Sequence, residues 1–338
     1  MGLISLLKRK NSKVLFTTPS HGSKFCLFHK FYQWYKHDIS EVDAYNPQQA
    51  LDEAEKYAAK VYGTKYTKFL TNGSTSGIIS AILASAPRKI LVWDNAHPCH
   101  ENGARLCNAE VIKYELPFDE DLGLYRAITK DFVLELIEKY NPDTIVITSP
   151  TYEGFAADVK AISEICHNNN VVLIVDEAHG ALYPFSDKLP ESAVKYADFT
   201  VQSLHKTAGG INPTALLHSN NVNPSEALSM INTTSPSYPM LATIEANIKF
   251  LNSKRGQVYI DNLISEIKSL SIPQLNDDIT KILLKGGEAL SDILFNKYGI
   301  EDERTNSKTT MLLCGIGTDK MKLERLRKVW NKINDCSK

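Results

Sequence analysis

Five consecutive apolar residues, Val171 to Val175, run without a polar break into Asp176, Glu177, Ala178 and His179. A run of this kind is long enough for a strand buried on both faces. In an open α/β sheet ligands bind at the C-terminal ends of the strands, so this strand delivers Asp176, with Glu177 and His179, to a binding edge. A second short strand, Phe199 to Ser203, finishes on Ser203, His205 and Lys206. Two neighbouring strand ends thus present one carboxylate and one lysine to the same crevice. Pyridoxal phosphate requires that pairing: the lysine bonds covalently to the cofactor aldehyde, and the carboxylate keeps the pyridine nitrogen protonated so that the ring accepts electrons.

The remaining chain supplies a sheet for those strands. From Pro47 to Gly63, Ala50, Leu51, Ala54, Tyr57, Ala58 and Val61 recur at helical spacing. Strands and helices then alternate: TKFLTNG is a strand entering a turn, STSGIISAILASA a helix, KILVWD a strand and HENGARLCNAE a helix. VIKYEL and DTIVITSP follow as strands, separated by a helix through Phe132 to Tyr140. A helix from Val159 to His167 and the strands VVLIVDEAH, DFTVQS and TALLHS complete the layer. Such alternation means βαβ units and a mainly parallel sheet. After Pro239, the positions Leu241, Ile244, Ile248, Leu251, Val258, Ile260, Leu263 and Ile267 predict one long helix leaving the layer. The remainder (DITKILLK, GGEALSDILFNKYGI, TTMLLCGIG and KMKLERLRKVWNKIN) predicts strand, helix, strand, helix. The expected organisation is an N-terminal arm over 1–45, a large domain over 46–240, and a linking helix with a small α+β domain over 241–338. The arm is rich in aromatics (Phe25, Phe28, Phe31, Tyr32, Trp34, Tyr35) without a clean period, and reads either as a contact with a second subunit or as an intramolecular cover.

Composition excludes several functions. Lys plus Arg number 38 against 39 Asp plus Glu, a net charge of -1, so nothing points to nucleic acid or an anionic membrane, and a small-molecule substrate is expected. The apolar run Leu3 to Leu7 is too short for a span and is followed by charge, which suits a cytoplasmic chain. Six scattered cysteines without Cys-x-x-Cys spacing read as free thiols in a reducing compartment. The letters DEAH do not make a nucleic-acid helicase, because no G-x-x-x-x-G-K-[ST] lies upstream.

Two further stretches reach the same sheet edge. In Thr71 to Gly77, glycine permits a sharp turn, and Ser74, Thr75 and Ser76 at a helix start aim hydroxyls and backbone N–H groups at one spot, where a phosphate fits; Ser and Thr are also ordinary helix caps. His97, directly after ILVWD, is placed to stack on a flat cofactor, or is a surface histidine in a Pro-containing turn. His97, His100 and Glu101 lack a second ligand cluster, so no metal site is expected.

In this order, TNGSTSG, N-x-H around His97, SPTYEG from Ser149 to Gly154, VDEAHGA, AD-x-x-x-QSLHKT and TTSPSY from Thr233 to Tyr238 resemble the fold type I pyridoxal-phosphate enzymes of the Orn/Lys/Arg decarboxylase group. The resemblance extends over most of the chain, from Thr18 onward. It implies an α/β fold like that of aspartate aminotransferase, with a mainly parallel, seven-stranded-type sheet sandwiched by helices and a small C-terminal α+β domain. It makes Lys206 the Schiff-base lysine and Asp176 the partner of the pyridine nitrogen. His97 stacks on the ring, Ala178 lies beneath the other face, and His179 lies near the phenolic oxygen. Ser74, Thr75, Ser203 and His205 hold the phosphate. Thr234 or Ser235 reaches the phosphate of the opposite subunit, which implies a homodimer with shared active sites. Departures from the family pattern are Ser20 within Pro19–Ser20–His21, where members commonly carry glycine, and Asn212–Pro213 where they show Thr-Gln. A short form without the family's wing and additional C-terminal domain is expected.

The activity implied is decarboxylation of a basic amino acid such as lysine, ornithine or arginine. Glu153 and Glu177 are the candidates to meet the substrate's cation, and Lys206 or a nearby histidine returns the proton. One alternative is an aminotransferase or side-chain lyase, for which Arg304 is the candidate carboxylate clamp. Another is a catalytically silent, cofactor-binding partner subunit.

Overall fold

The computed structural model describes residues 14–21, 34–44 and 46–335. Its central sheet has seven strands: β1 (Tyr66–Leu70), β2 (Lys89–Trp93), β3 (Glu110–Tyr114), β4 (Thr144–Thr148), β5 (Val172–Asp176), β6 (Phe199–Ser203) and β7 (Ala215–Ser219). Their order is β1-β7-β6-β5-β4-β2-β3, and all pairs are parallel except those of β7, which is antiparallel to both neighbours. Successive side chains on a strand face opposite ways. Leu91, Ile145, Ile147, Leu173 and Val175 therefore pack on one side with Val133, Leu136 and Ile162, from helices α4 (Lys130–Tyr140) and α5 (Val159–Asn168). Ile90, Val92, Val146 and Ile174 pack on the other with Ile78, Ile82 and Ala104, from α2 (Gly73–Ser85) and α3 (Cys99–Leu106). Both faces are covered, which is why these strands read as unbroken apolar runs. Helix α1 (Pro47–Tyr62) precedes β1 and joins a third cluster with the C-terminal part of the chain.

The expected single long helix after Pro239 is two, α6 (Tyr238–Leu251) and α7 (Lys254–Lys268). Ser253 caps the second by accepting from the Gly256 N–H at 3.1 Å. At Gly256 a Cβ would stand 2.0 Å from the Phe250 carbonyl oxygen, so the tight return needs glycine. Apolar spacing continues across the break because both helices bury their faces in one core, through Ile244, Ile248, Ile260 and Ile264. Beyond them, β8 (Lys281–Lys285), β9 (Arg304–Thr305) and β10 (Thr309–Leu313) form an antiparallel sheet in the order β8-β10-β9, followed by α8 (Lys320–Asp335).

The first described residues pack against other parts of the chain. Val14 and Leu15 pair with Ile300 and Glu301, and Phe16 is fully buried. The Ser20 N–H donates to the His205 carbonyl at 2.8 Å, and Ser20 Oγ accepts from the Gly209 N–H at 2.9 Å. Phe25, Phe28, Phe31 and Tyr32 lie outside the described residues. Among the described residues no helix is long and apolar enough to cross a membrane.

Candidate active site

Strand register brings the chemistry together. Thr148 pairs with Asp176 and Asp176 with Val201, so β4, β5 and β6 end side by side. Asp176 is buried, with Oδ1 accepting from the Ala178 N–H at 3.0 Å and Oδ2 lying 2.9 Å from His100 Nε2. Burial alone would raise its carboxyl; the His100 contact, Lys206 and the Ala178 N–H together hold it below the ordinary value. The carboxylate is thus the acceptor, and His100 Nε2 carries the proton. In the sequence, His100 stands out only as a candidate metal ligand beside His97 and Glu101.

Past β6, one helical turn, Leu204–Thr207, aims Lys206 back at β5, and its Nζ lies 3.1 Å from His179 Nε2. Burial pushes the lysine down from its usual value, opposed by Asp176 and Glu303. Burial, then the charges of Lys206 and Lys281, push His179 well below the ordinary histidine range, leaving a neutral ring to accept from the amine. The Tyr152 ring lies 4.4 Å from that of His179.

These groups line a pocket of about 300 Å³ that contains His97, Asp176, Ala178, His179 and Lys206, walled by Trp93, Tyr125, Thr148, Tyr152, Glu153 and Arg304. Tyr152 sits inside a motif visible in the sequence. Trp93, Tyr125 and Thr148 carried no signal beyond their place at or after strand ends.

Glu153 and Arg304, assigned different tasks from the sequence, are each other's partner: their charged atoms are 3.2 Å apart, and the guanidinium lies 4.8 Å from the Tyr152 ring centre. Burial raises the Glu153 carboxyl, opposed by Arg304. Tyr152 Oη donates to Glu303 at 2.7 Å, and the same carboxylate accepts from the Thr18 N–H at 2.7 Å, tying the N-terminal segment to the pocket wall. Glu177 has to be withdrawn as a substrate partner. It does not line the pocket, and its carboxylate accepts from Ser192 Oγ at 2.7 Å, the Ala193 N–H at 2.8 Å and Gln202 Nε2 at 2.6 Å.

The proposed phosphate residues stand at the same edge, outside the pocket lining. Leu70, Ala215 and Ser203 are in register, which sets the start of α2 and the Ser203–Lys206 turn on either side of β7. Helix α2 opens at Gly73, φ 76°, and the Asn72 side chain does not cap it, so Ser74 and Thr75 lie in a first turn without a side-chain cap at Asn72. Ser203 Oγ and Thr207 Oγ1 are buried without a partner, and His205 Nδ1 lies 3.1 Å from the Thr214 carbonyl. An uncapped helix start and orphaned hydroxyls suit a phosphate. Thr234 and Ser235 are exposed; neither lines this pocket, and Thr234 borders a separate groove with Lys68 and Thr71.

A sheet of this order, with lysine and aspartate on adjoining strand ends and a helix start free to take a phosphate, is the fold of type I pyridoxal-phosphate enzymes, and the residues present fit that cofactor. The structure matches the constitutive lysine decarboxylase of Escherichia coli with a TM-score of 0.75 at 22% identity, over 92% of this chain and 56% of that one. It matches an alanine–glyoxylate aminotransferase from Nostoc sp. with a TM-score of 0.70 at 13% identity, over 94% of each. The sequence model described as "Orn/Lys/Arg decarboxylase, major domain" matches residues 9–276, and the chain belongs to that family. An arginine decarboxylase of Bacillus anthracis is 28% identical over 306 residues, 85% of this chain and 62% of the relative. The constitutive lysine decarboxylase of E. coli is 27% identical over 292 residues, 75% of this chain and 40% of the relative.

Proposed function

We propose that the protein decarboxylates a basic amino acid with pyridoxal phosphate as cofactor, in the cytoplasm and as a homodimer. The observation that carries this is the placement of Lys206 and the anionic Asp176 in one pocket, in a chain of the Orn/Lys/Arg decarboxylase family. When bound, the cofactor supplies a ring that accepts the electron pair of a bond broken at the substrate's α-carbon. Lys206 would hold the cofactor covalently. Asp176, kept anionic by His100, would pair with the protonated ring nitrogen, and His97 and Ala178, which line the same pocket, would pack against the ring. Ser74, Thr75, Ser203 and His205 would hold the phosphate, and in a homodimer Thr234 or Ser235 would serve the phosphate of the other subunit. The neutral His179 accepts from the Lys206 amine at 3.1 Å, which orients it to return a proton to the α-carbon. Glu153 takes the distal cation of the substrate; without substrate, Arg304 occupies that role. Relatives named arginine, lysine and ornithine decarboxylase support a basic substrate.

The test is a visible absorbance spectrum of the protein loaded with pyridoxal phosphate, then incubation with L-lysine, L-ornithine and L-arginine. Carbon dioxide and the matching amine are expected, and Lys206→Ala should lose the visible band. A Lys206→Ala variant that keeps the band overturns the assignment of the lysine. Arg304 on the pocket wall favours a second reading, transamination with that guanidinium gripping the substrate carboxylate. Keto acid in place of carbon dioxide would establish it.

A further inference from the structure

Lys281, on β8, is fully buried, and a lysine is almost never placed so without a partner. Its partner is Asp278, equally without solvent exposure and hydrogen-bonded to Nζ. The other contact of Nζ is the backbone carbonyl of His179, at 3.4 Å. Asp278 in turn accepts from Tyr183 Oη at 2.8 Å and from the Thr280 N–H at 2.9 Å. On the far side, the N–H groups of Asp277 and Asp278 each donate to the Gly154 carbonyl at 3.0 Å. A Cβ at Gly154 would come within 3.0 Å of Lys281 Cδ, so this glycine is what lets the turn close on the lysine stem. The ion pair therefore sits where the small C-terminal sheet meets both turns that frame the pocket.

A buried ion pair is a weak source of stability, because desolvating two charges offsets most of their attraction and apolar groups of equal volume often serve as well. We propose that Lys281 is a positioning residue. Its ammonium, neutralised by Asp278, holds the His179 turn against the Thr151–Phe155 turn and thereby fixes the ring that meets the Lys206 amine. This deepens the reading of the pocket as a cofactor site and rests on it. The position of the C-terminal sheet is then coupled to the reacting amine through one side chain. The coupling is also electrostatic. After burial, the Lys281 charge is among the causes that push both His179 and Lys206 down. Facing the same amine, Asp176, Glu303 and Cys99 act in the opposite direction, and the titratable or charged side chains His97, His179, His205, Tyr152, Glu153 and Arg304 stand around the same pocket.

The test compares Lys281→Met, Lys281→Arg and the double variant Lys281→Met/Asp278→Asn in the full chain. In the cofactor-loaded protein the readout is the pH midpoint of the visible band. In the cofactor-free protein it is the pH dependence of Lys206 labelling by an amine-reactive reagent, followed by peptide mass spectrometry. Both midpoints should move to higher pH in Lys281→Met, move less but in the same direction in the double variant, and stay in place in Lys281→Arg. Wild-type midpoints in a folded Lys281→Met overturn the proposal. If that single variant does not fold, the double variant, which buries no unpaired charge, decides by the same criterion. A wild-type protein without a visible band sinks the cofactor reading instead, while the labelling still shows whether Lys281 governs the titration of Lys206.

Discussion

Replacing Glu177 by glutamine isolates one buried charge from the rest of the fold. Glu177 follows the site aspartate directly yet turns into a closed cage of three donors, from Ser192, Ala193 and Gln202. Burial outweighs those donors and pushes its carboxyl up from 4.5 to about 7. A carboxyl whose value is higher in the folded chain binds its proton more tightly there than in the unfolded chain, so it lowers stability as pH rises between the two values. The span is about 2.5 pH units, and at 1.36 kcal/mol per unit the loss between pH 4.5 and pH 7 is about 3 kcal/mol, constant above that. Glutamine does not titrate. The stability of the wild type minus that of Glu177→Gln should therefore fall across this range and level off above pH 7. Urea unfolding followed by circular dichroism at intervals of one pH unit reads that difference. Any constant cost of setting an amide among donors cancels in the slope. A difference that stays flat from pH 5 to pH 8, or rises with pH, refutes the reasoning.

Two further outcomes follow from the geometry. Glu153→Gln removes the buried carboxylate proposed to meet the substrate cation, and a charge-assisted hydrogen bond of about 1.5–3 kcal/mol predicts a KM for the basic amino acid raised about 10-fold or more with little change in kcat; an unchanged KM in steady-state assays removes Glu153 from that role. Gly77→Ala places a Cβ 2.7 Å from Leu70 Cδ1 and 2.8 Å from Val201 Cγ1, between α2 and the sheet, so a loss of about 1–3 kcal/mol is expected in urea unfolding, and wild-type stability would contradict it.

Asp176 and Lys206 were legible because parallel strands deliver whatever ends them to one edge, and because apolar runs buried on both faces are hard to mistake. Asp176 and Glu177 show where that legibility stops. Two adjacent carboxylates look alike in the sequence, but extended backbone sends neighbours in opposite directions, one to the pocket and the other to the Gln202 cage. The helix break at Ser253 was hidden for a related reason, since a shared core preserves the apolar spacing on both sides of it. The Glu153–Arg304 pair and the Phe16 cover join segments far apart in the chain, and nothing in local pattern reports such a contact. Lys281 is the extreme case. In Asp278–Ile279–Thr280–Lys281 it reads as an ordinary strand-edge lysine, and its burial depends on the turn at Gly154, φ 93°, closing over it from another part of the molecule. Residue types at strand ends thus carry the chemistry of the pocket, whereas the contact between the C-terminal sheet and that pocket is written in a glycine and a lysine whose meaning exists only once they touch.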